Sequence, residues 1–262
     1  MKVIDLASKY CDTYFNCLED WSEEIKEAGD HKARWYRKYK EKGLKVKIAL
    51  DEKDTAVGMI QYLPIEASFV EGKDLYFILC VWVHGHKAGL GNRQGRGAGT
   101  ALLDAAEHDV KNLGAKGIAA WGLWLPIWMK AAWFKKHGYQ KADRDSLRLL
   151  VWKAFSPDAG PPSWIRQKKK ISRNPNKVVV TAFINGWCSA QNMVFERAKR
   201  ASLQFGDKVG FETVDTSVRE VFLEWGISDG IFVDGKLITT GPPLSYEKLM
   251  KIISKKVRRL SS

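Results

Sequence analysis

Residues 74–83, DLYFILCVWV, form a nearly unbroken apolar run of strand length, rich in β-branched and aromatic residues. A run apolar on both faces fits a central strand covered on both sides. Before it, LKVKIALD (44–51) and TAVGMIQYLPI (55–65) read as strands paired through the short polar turn EKD. Residues 6–20 and 22–42 carry helical patterns. After it, Leu102, Leu103, Ala106, Val110 and Leu113 recur three and four apart, which predicts a helix over 99–113 with one buried stripe, stopped by Gly114. KGIAAWG (116–122) predicts another short strand, and IWMKAAWFKKHGY (127–139) a helix ending at Gly138.

The second half has its own alternation. NKVVVTAFINGWC (176–188) predicts a strand leading into Trp187-Cys188, followed by a helix with Met193, Ala198 and Ala201 on its apolar side. A strand (209–216) and a helix (217–226) come next. In GIFVDGKLI (230–238), Asp234-Gly235 signals a two-residue hairpin turn. A last helix over 245–258 aligns Tyr246, Leu249, Met250, Ile253 and Val257. The order is βαβαββα.

Between the halves, SPDAGPPSW runs into RQKKKISR, and proline, glycine and a charge run together predict an exposed linker. The expected organisation is a domain over 1–155, a basic linker over 156–175 and a smaller domain over 176–262. The net charge of +13 raises the question of nucleic acid, but it is spread as +5, +4 and +4 over 1–155, 156–176 and 177–262. No aromatic-studded basic motif accompanies the lysine run, so a nucleic-acid partner is not expected. The start of the chain lacks a sustained apolar segment, and no stretch reaches the 18 or more apolar residues of a membrane span, which predicts a cytoplasmic protein. Cys11, Cys17, Cys80 and Cys188 show no CxxC and no metal-ligand spacing, so no metal is expected; Cys80, in mid-strand, is a core thiol.

Four glycines fall within nine residues, Gly91 to Gly99, between the apolar strand and the helix. Amides at a helix start have no partner in the helix, and glycines let a bulky anion reach them. The expected guest is a phosphate or pyrophosphate. A Walker loop needs GK[ST], and GAGT has no lysine. A Rossmann fingerprint fails at its last glycine, where Thr100 stands, and lacks the later acidic residue. Gln94-Gly95-Arg96-Gly97-Ala98-Gly99 instead reads as [QR]xxGx[GA].

With the preceding strand, the following helix, the next short strand and the ending WFKKHGY, the chain over roughly 40–150 resembles the GNAT superfamily of acyl-CoA-dependent N-acetyltransferases. The resemblance implies an α/β fold with a splayed, mostly antiparallel mixed sheet flanked by helices. It implies acetyl-CoA as co-substrate, its pyrophosphate on Gln94, Gly95, Arg96, Gly97, Ala98, Gly99 and Thr100, and its pantetheine arm along Trp82 and Val83. The chain departs from the family twice. HGHKAGLGNR lengthens the step from strand to loop, and Phe134, counted with the cofactor site, stands where many members have the tyrosine that serves the departing thiolate.

The chemistry needs a base for the attacking amine. Glu66 at a strand end, His84 directly after Val83, and His86 are the candidates. Tyr62, Trp121, Trp124 and Trp128 are candidates for a substrate pocket, or for packing. The βαβαββα half is similar to the thioredoxin fold, with Trp187-Cys188 where that family keeps its nucleophile, and its C-terminal segment is similar to that of the YoaP-type proteins. The second cysteine is replaced, since the stretch reads Cys188-Ser189-Ala190-Gln191. Cys188 is therefore either a lone reactive thiol at a helix start or a structural one. Three functions follow: acetyl transfer from acetyl-CoA to an amine, a CoA-binding sensor with a monothiol domain, or an RNA-associated factor.

Overall fold

The computed structural model describes residues 1–125, 129–238 and 242–260. The chain divides into two compact units: Met1–Trp21 with Arg37–Ile165, and Ser22–Tyr36 with Arg166–Ser262.

In chain order the elements up to Ile165 are β1 (Lys2–Asp5), α1 (Cys11–Phe15), α2 (His31–Lys40), β2 (Lys45–Leu50), β3 (Ala56–Pro64), β4 (Val70–Glu71), β5 (Leu75–Val83), α3 (Ala98–Asn112), β6 (Gly117–Leu123), α4 (Ala131–Lys136), β7 (Gln140–Asp145), β8 (Arg148–Ala154) and β9 (Ser163–Trp164). Seven strands form one sheet in the order β1-β2-β3-β5-β6-β8-β7. Every pair is antiparallel except β5 with β6. This is the mixed, mostly antiparallel sheet flanked by helices that the resemblance implies.

The apolar run 74–83 is central, as its two-sided hydrophobicity requires: Leu75, Phe77, Ile78 and Leu79 are buried. On one face Leu102, Leu103, Ala106 and Val110 of α3 pack with Phe134 and Tyr139 against Ile60, Ile78, Ile118 and Ala120. The predicted stripe ends one turn early, because Leu113 caps the helix and is exposed.

The helices expected over 6–20 and 22–42 are shorter and broken. Positive φ at Cys17 (53°) and Leu18 (63°) ends α1, and Gly29 (60°) turns the chain before α2. The helix expected over 127–139 is reduced to α4, and the first part of that span lies outside the described residues. The β7–β8 hairpin was not legible in the pattern. β7 is an edge strand, QKADRD, with no fully buried position, so it has no apolar alternation to read.

The second unit holds β10 (Val178–Ile184), α5 (Ser189–Leu203), β11 (Val209–Asp215), α6 (Arg219–Trp225), β12 (Gly230–Val233), β13 (Lys236–Leu237) and α7 (Tyr246–Arg258). The sheet order is β11-β10-β12-β13, with β10 and β11 parallel and the other pairs antiparallel. Asp234 and Gly235 take φ of 48° and 71° between the paired Val233 and Lys236, which is the expected hairpin turn. Val194, Ala198 and Ala201 of α5 and Leu249, Ile253 and Val257 of α7 meet Val178, Val180 and Ala182 in one core.

The observed units differ from the expected 1–155, 156–175 and 176–262. Arg197 on α5 is almost completely buried, and a buried guanidinium needs carboxylates. Ser22–Tyr36 supplies them, with Glu24 at 2.6 Å and Glu27 at 2.9 Å. That segment also gives His31, 2.6 Å from Glu196. The expected linker is partitioned. Ser163–Trp164 pairs with β4 in the first unit. Arg166–Lys170 exposes its side chains, yet its backbone is tied down within the second unit, where Lys168 N–H donates to the carbonyl of Trp225 (2.9 Å).

Candidate active site

The ladder between β5 and β6 runs only from Leu75–Gly117 to Ile78–Ala120. β5 continues five residues to Val83, and β6 three to Leu123, without pairing to each other. The reason lies on the other edge of β5. Its register with β3 passes from Ile78–Tyr62 to Cys80–Gln61, so Leu79 is one residue extra. Such a bulge bends and twists its strand, which turns β5 away from β6. A split opens with its apex at Leu79 and one edge formed by Cys80–Val83. Trp121, the first residue of β6 beyond the ladder, reaches across the apex, and its indole N–H donates to the Leu79 carbonyl (2.8 Å). Beyond it β6 turns to other partners, the Leu123 amide donating to the carbonyl of Met129 (2.7 Å).

The glycine loop stands at the open end of this split. Gly95 and Gly97 take φ of 75° and 85°, the left-handed region that glycine enters without strain. Gly97 is the N-cap of the fifteen-residue α3, and no side chain caps the helix. The amides of Ala98, Gly99 and Thr100 therefore lack an intrahelical acceptor. A Cβ built on Gly95 or Gly97 meets no atom within 4 Å, so the space before these amides is open among the described residues. Helix polarity adds positive potential there. The donor set fits a diphosphate.

The flanking residues came partly from positions the pattern did not mark. Gln94 is turned back, its side-chain amide donating to the Val83 carbonyl (3.1 Å). Arg96 is exposed on the loop, and Ala98 is buried beneath it. Thr100 Oγ lies 3.1 Å from His137 Nε2, and His137 Nδ1 donates to the Trp133 carbonyl (2.9 Å). The indole of Trp133 comes within 3.4 Å of a Cβ built on Gly99. Trp133 and His137 lie more than thirty residues along the chain from the loop. Their only sequence signal was membership of the WFKKHGY ending. Phe134, assigned to the cofactor on that ending, is 1% exposed and packs between Trp133 and Tyr139. Its ring belongs to the core of the α3 face, because helical periodicity turns it inward.

The three candidate bases are not brought together. Glu66 follows β3, beyond the Pro64–Tyr76 pair, and accepts from the Asp74 amide at the start of β5. Tyr76 and Val83 are seven residues apart on one strand, about 23 Å at ~3.3 Å per residue. Glu66 thus sits at the end of the sheet opposite the loop, beyond the apex at Leu79 by about 10 Å of strand or more. His84 is fully buried, and both its ring nitrogens are engaged: Nδ1 donates to the Gly91 carbonyl (2.9 Å) and Nε2 accepts from Trp21 Nε1 (3.0 Å). It anchors the ten-residue insertion, whose ends are closed by the Arg93 amide on the His84 carbonyl (2.8 Å). A histidine so committed has no free site for a substrate proton.

His86 is different. Its side chain is half exposed, with Nε2 3.1 Å from Glu19 Oε1. Its ring lies 5.8 Å from Trp21 and 6.0 Å from Trp82, and the buried Nε1 of Trp82 has no acceptor among the described residues. Of the aromatics considered for a substrate pocket, Tyr62 is buried, and burial first, then its hydrogen bond to Asp109, raises its pKa. Trp124 is 62% exposed, and Trp128 lies outside the described residues.

In the second unit Cys188 is the half-buried N-cap of α5. The neighbouring Trp187 donates to Asp229 (3.0 Å). None of the four cysteines is in a disulfide among the described residues. Among the described residues there is no cluster suited to a metal ion and no helix long and apolar enough to cross a membrane.

Comparison with known proteins bears on the first unit. Residues 6–125 match the acetyltransferase (GNAT) family model. No curated protein matches the chain. Among solved structures, the chain is similar to the aminoglycoside 6'-acetyltransferase type Ii, at 17% identity and a TM-score of 0.46 over 60% of this chain and 99% of that one. It is also similar to the PaiA N-acetyltransferase of Thermoplasma acidophilum solved with coenzyme A, at 15% identity and a TM-score of 0.44 over 59% and 100%. The ribosomal-protein-alanine N-acetyltransferase of Brucella melitensis gives 14% and 0.45 over 59% and 100%. The segment that matches the acetyltransferase (GNAT) family model, residues 6–125, is also the one that holds the bulge in β5, its split from β6 and the uncapped start of α3.

Proposed function

We propose that the protein transfers an acetyl group from acetyl-CoA to an amine, the reaction being carried by the first unit. One observation carries this reading: the β5–β6 split opens onto the uncapped, glycine-lined N-terminus of α3 within the segment that matches the family. Acetyl-CoA supplies an activated thioester. The amides of Ala98, Gly99 and Thr100 and the open backbone at Gly95 and Gly97 hold its diphosphate. Arg96 adds charge, and the Cys80–Val83 edge receives the two amide groups of the arm as an added strand would. Backbone N–H groups along that edge stabilise negative charge on the thioester oxygen.

His86, positioned by Glu19 and beside Trp82, takes through water the proton that the amine loses as its nitrogen bonds to the carbonyl carbon. The C–S bond breaks and the sulfur leaves as thiolate, which takes a proton from water. Phe134 supplies none, having no hydroxyl and lying in the core. His86→Gln is expected to lower kcat by about 10²-fold or more, with acetyl-CoA affinity by calorimetry unchanged. A loss of affinity instead would place the ring in cofactor binding.

The test of the whole reading is an acceptor screen. Full-length protein, acetyl-CoA and an amine panel are followed by free-thiol release and by mass spectrometry of the acceptor. Thiol release that depends on an amine supports transfer. Tight CoA binding without release under every acceptor favours the second reading, a non-catalytic CoA-binding sensor, to which the interior Phe134 and the lone Cys188 lend support.

For the second unit, strand order and the position of Cys188 at the start of α5 support a thioredoxin-like, YoaP-like domain. Gln191 in place of the second cysteine of a CxxC pair removes internal dithiol exchange. Cys188→Ser is expected to leave acetyl transfer within twofold of the parent. A larger loss of turnover would bring the thiol into the reaction.

A further inference from the structure

The family match does not say which acyl chains the split admits. We infer that Trp121 closes the apex of the split and restricts the protein to short acyl groups, excluding chains beyond a few carbons. The inference rests on the reading that a CoA thioester lies in the split. An arm anchored at the mouth by its diphosphate runs inward along Val83, Trp82, Val81 and Cys80. From Val83 to Leu79 is four residues, about 13 Å of edge. The arm's two amides occupy that edge, so the acyl group arrives where the ladder resumes.

That place is filled. Trp121 is the first residue of β6 past the Ile78–Ala120 pair, and its half-buried ring spans the gap to the Leu79 carbonyl at 2.8 Å. Leu79 itself is 1% exposed, and behind the ring the packed core of the α3 face begins. β6 cannot draw back. A Cβ on Gly122 would already lie 2.5 Å from the Met129 carbonyl and 2.6 Å from the Ala131 amide, so the backbone after Trp121 is pressed against the start of α4. An acyl chain longer than the space before the indole has nowhere to go, because interiors packed at this density yield little. The hydrogen bond holds the ring across the split, and the ring supplies the bulk.

Affinities of the full chain for CoA, acetyl-CoA, butyryl-CoA and hexanoyl-CoA test this by calorimetry, with no need for an acceptor. The parent is expected to bind acetyl-CoA at least tenfold tighter than hexanoyl-CoA, and Trp121→Ala to bring the two within threefold or reverse them. Trp121→Phe keeps a ring without the N–H and is expected to retain most of the discrimination. It serves as the folded control if the alanine variant proves unstable, and Trp121→Leu then gives the intermediate ranking. Equal affinity of the parent for acetyl- and hexanoyl-CoA overturns the inference and leaves the function intact. So does undiminished discrimination in folded Trp121→Ala or Trp121→Leu. Failure of the parent to bind CoA or any thioester overturns the acyltransfer reading itself, and the inference with it.

Discussion

Replacing Gly97 with valine is expected to weaken acetyl-CoA binding by about 100-fold or more, equivalent to about 2.7 kcal/mol, with the protein still folded. Gly97 sits at φ 85° as the N-cap of α3. A residue with a Cβ is strained there by about 1–2 kcal/mol, and a β-branched one is the least tolerated. The added side chain itself clashes with nothing, since no atom lies within 4 Å of the Cβ position. Its methyls would instead project into the space before the helix amides, where the diphosphate must come. Gly114 supplies the control. It has φ 79°, equally open surroundings and a place just past the other end of the same helix. Gly114→Val carries the same kind of backbone strain and is expected to leave affinity unchanged. If both variants bind acetyl-CoA alike, the loop is a turn and not a cradle.

The second large effect is one of pH. Neighbouring protein atoms desolvate the Asp229 carboxyl and push its pKa up from 3.8 to about 6, against hydrogen bonds from the Asn185 amide and the Trp187 indole that favour the charged form. The folded unit therefore holds a proton that the unfolded chain releases. Its contribution to stability is complete below about pH 4 and is lost as pH rises through about 6. Two pKa units amount to about 3 kcal/mol, which is an upper bound because the residue keeps partial contact with solvent. Asp229→Asn removes the titration. Urea unfolding at pH 4.5 and 7.5 is expected to show the parent losing stability relative to the variant as pH rises, by up to about 2 kcal/mol, the part of the change that falls between those pH values. Parallel pH profiles for the two proteins would rule out Asp229 as the titrating group.

The position of this carboxyl could not be read from Ser228-Asp229 in the chain. It follows from the strand order, which sets the residue before β12 beside the end of β10. The same distinction runs through the candidate site. Strand, glycine loop and helix were legible because each signal is local. Two-sided hydrophobicity marks β5, left-handed glycines mark the turn, and a stripe at three and four residues marks α3. The Asp234-Gly235 turn was legible for the same reason. Glu66 and His84 looked equivalent as strand-end residues, yet antiparallel pairing puts Glu66 at the far end of β5. Trp21, sixty-three residues from His84, occupies that ring's second nitrogen.

By itself, then, the sequence determined the central strand β5, the glycine loop and helix that follow it, the βαβαββα order of the second half and the absence of a second cysteine near Cys188. These depend on backbone preference and periodicity within a few residues. The tertiary structure alone decided that Leu79 bulges, that β5 and β6 part after Ile78 and Ala120, that Trp121 bridges the apex, and that Ser22–Tyr36 serves the buried Arg197 of the second unit. Register and ion-pair partners are settled between segments far apart in the chain, where strands compete for neighbours and a buried charge takes whichever carboxylates the packing brings to it.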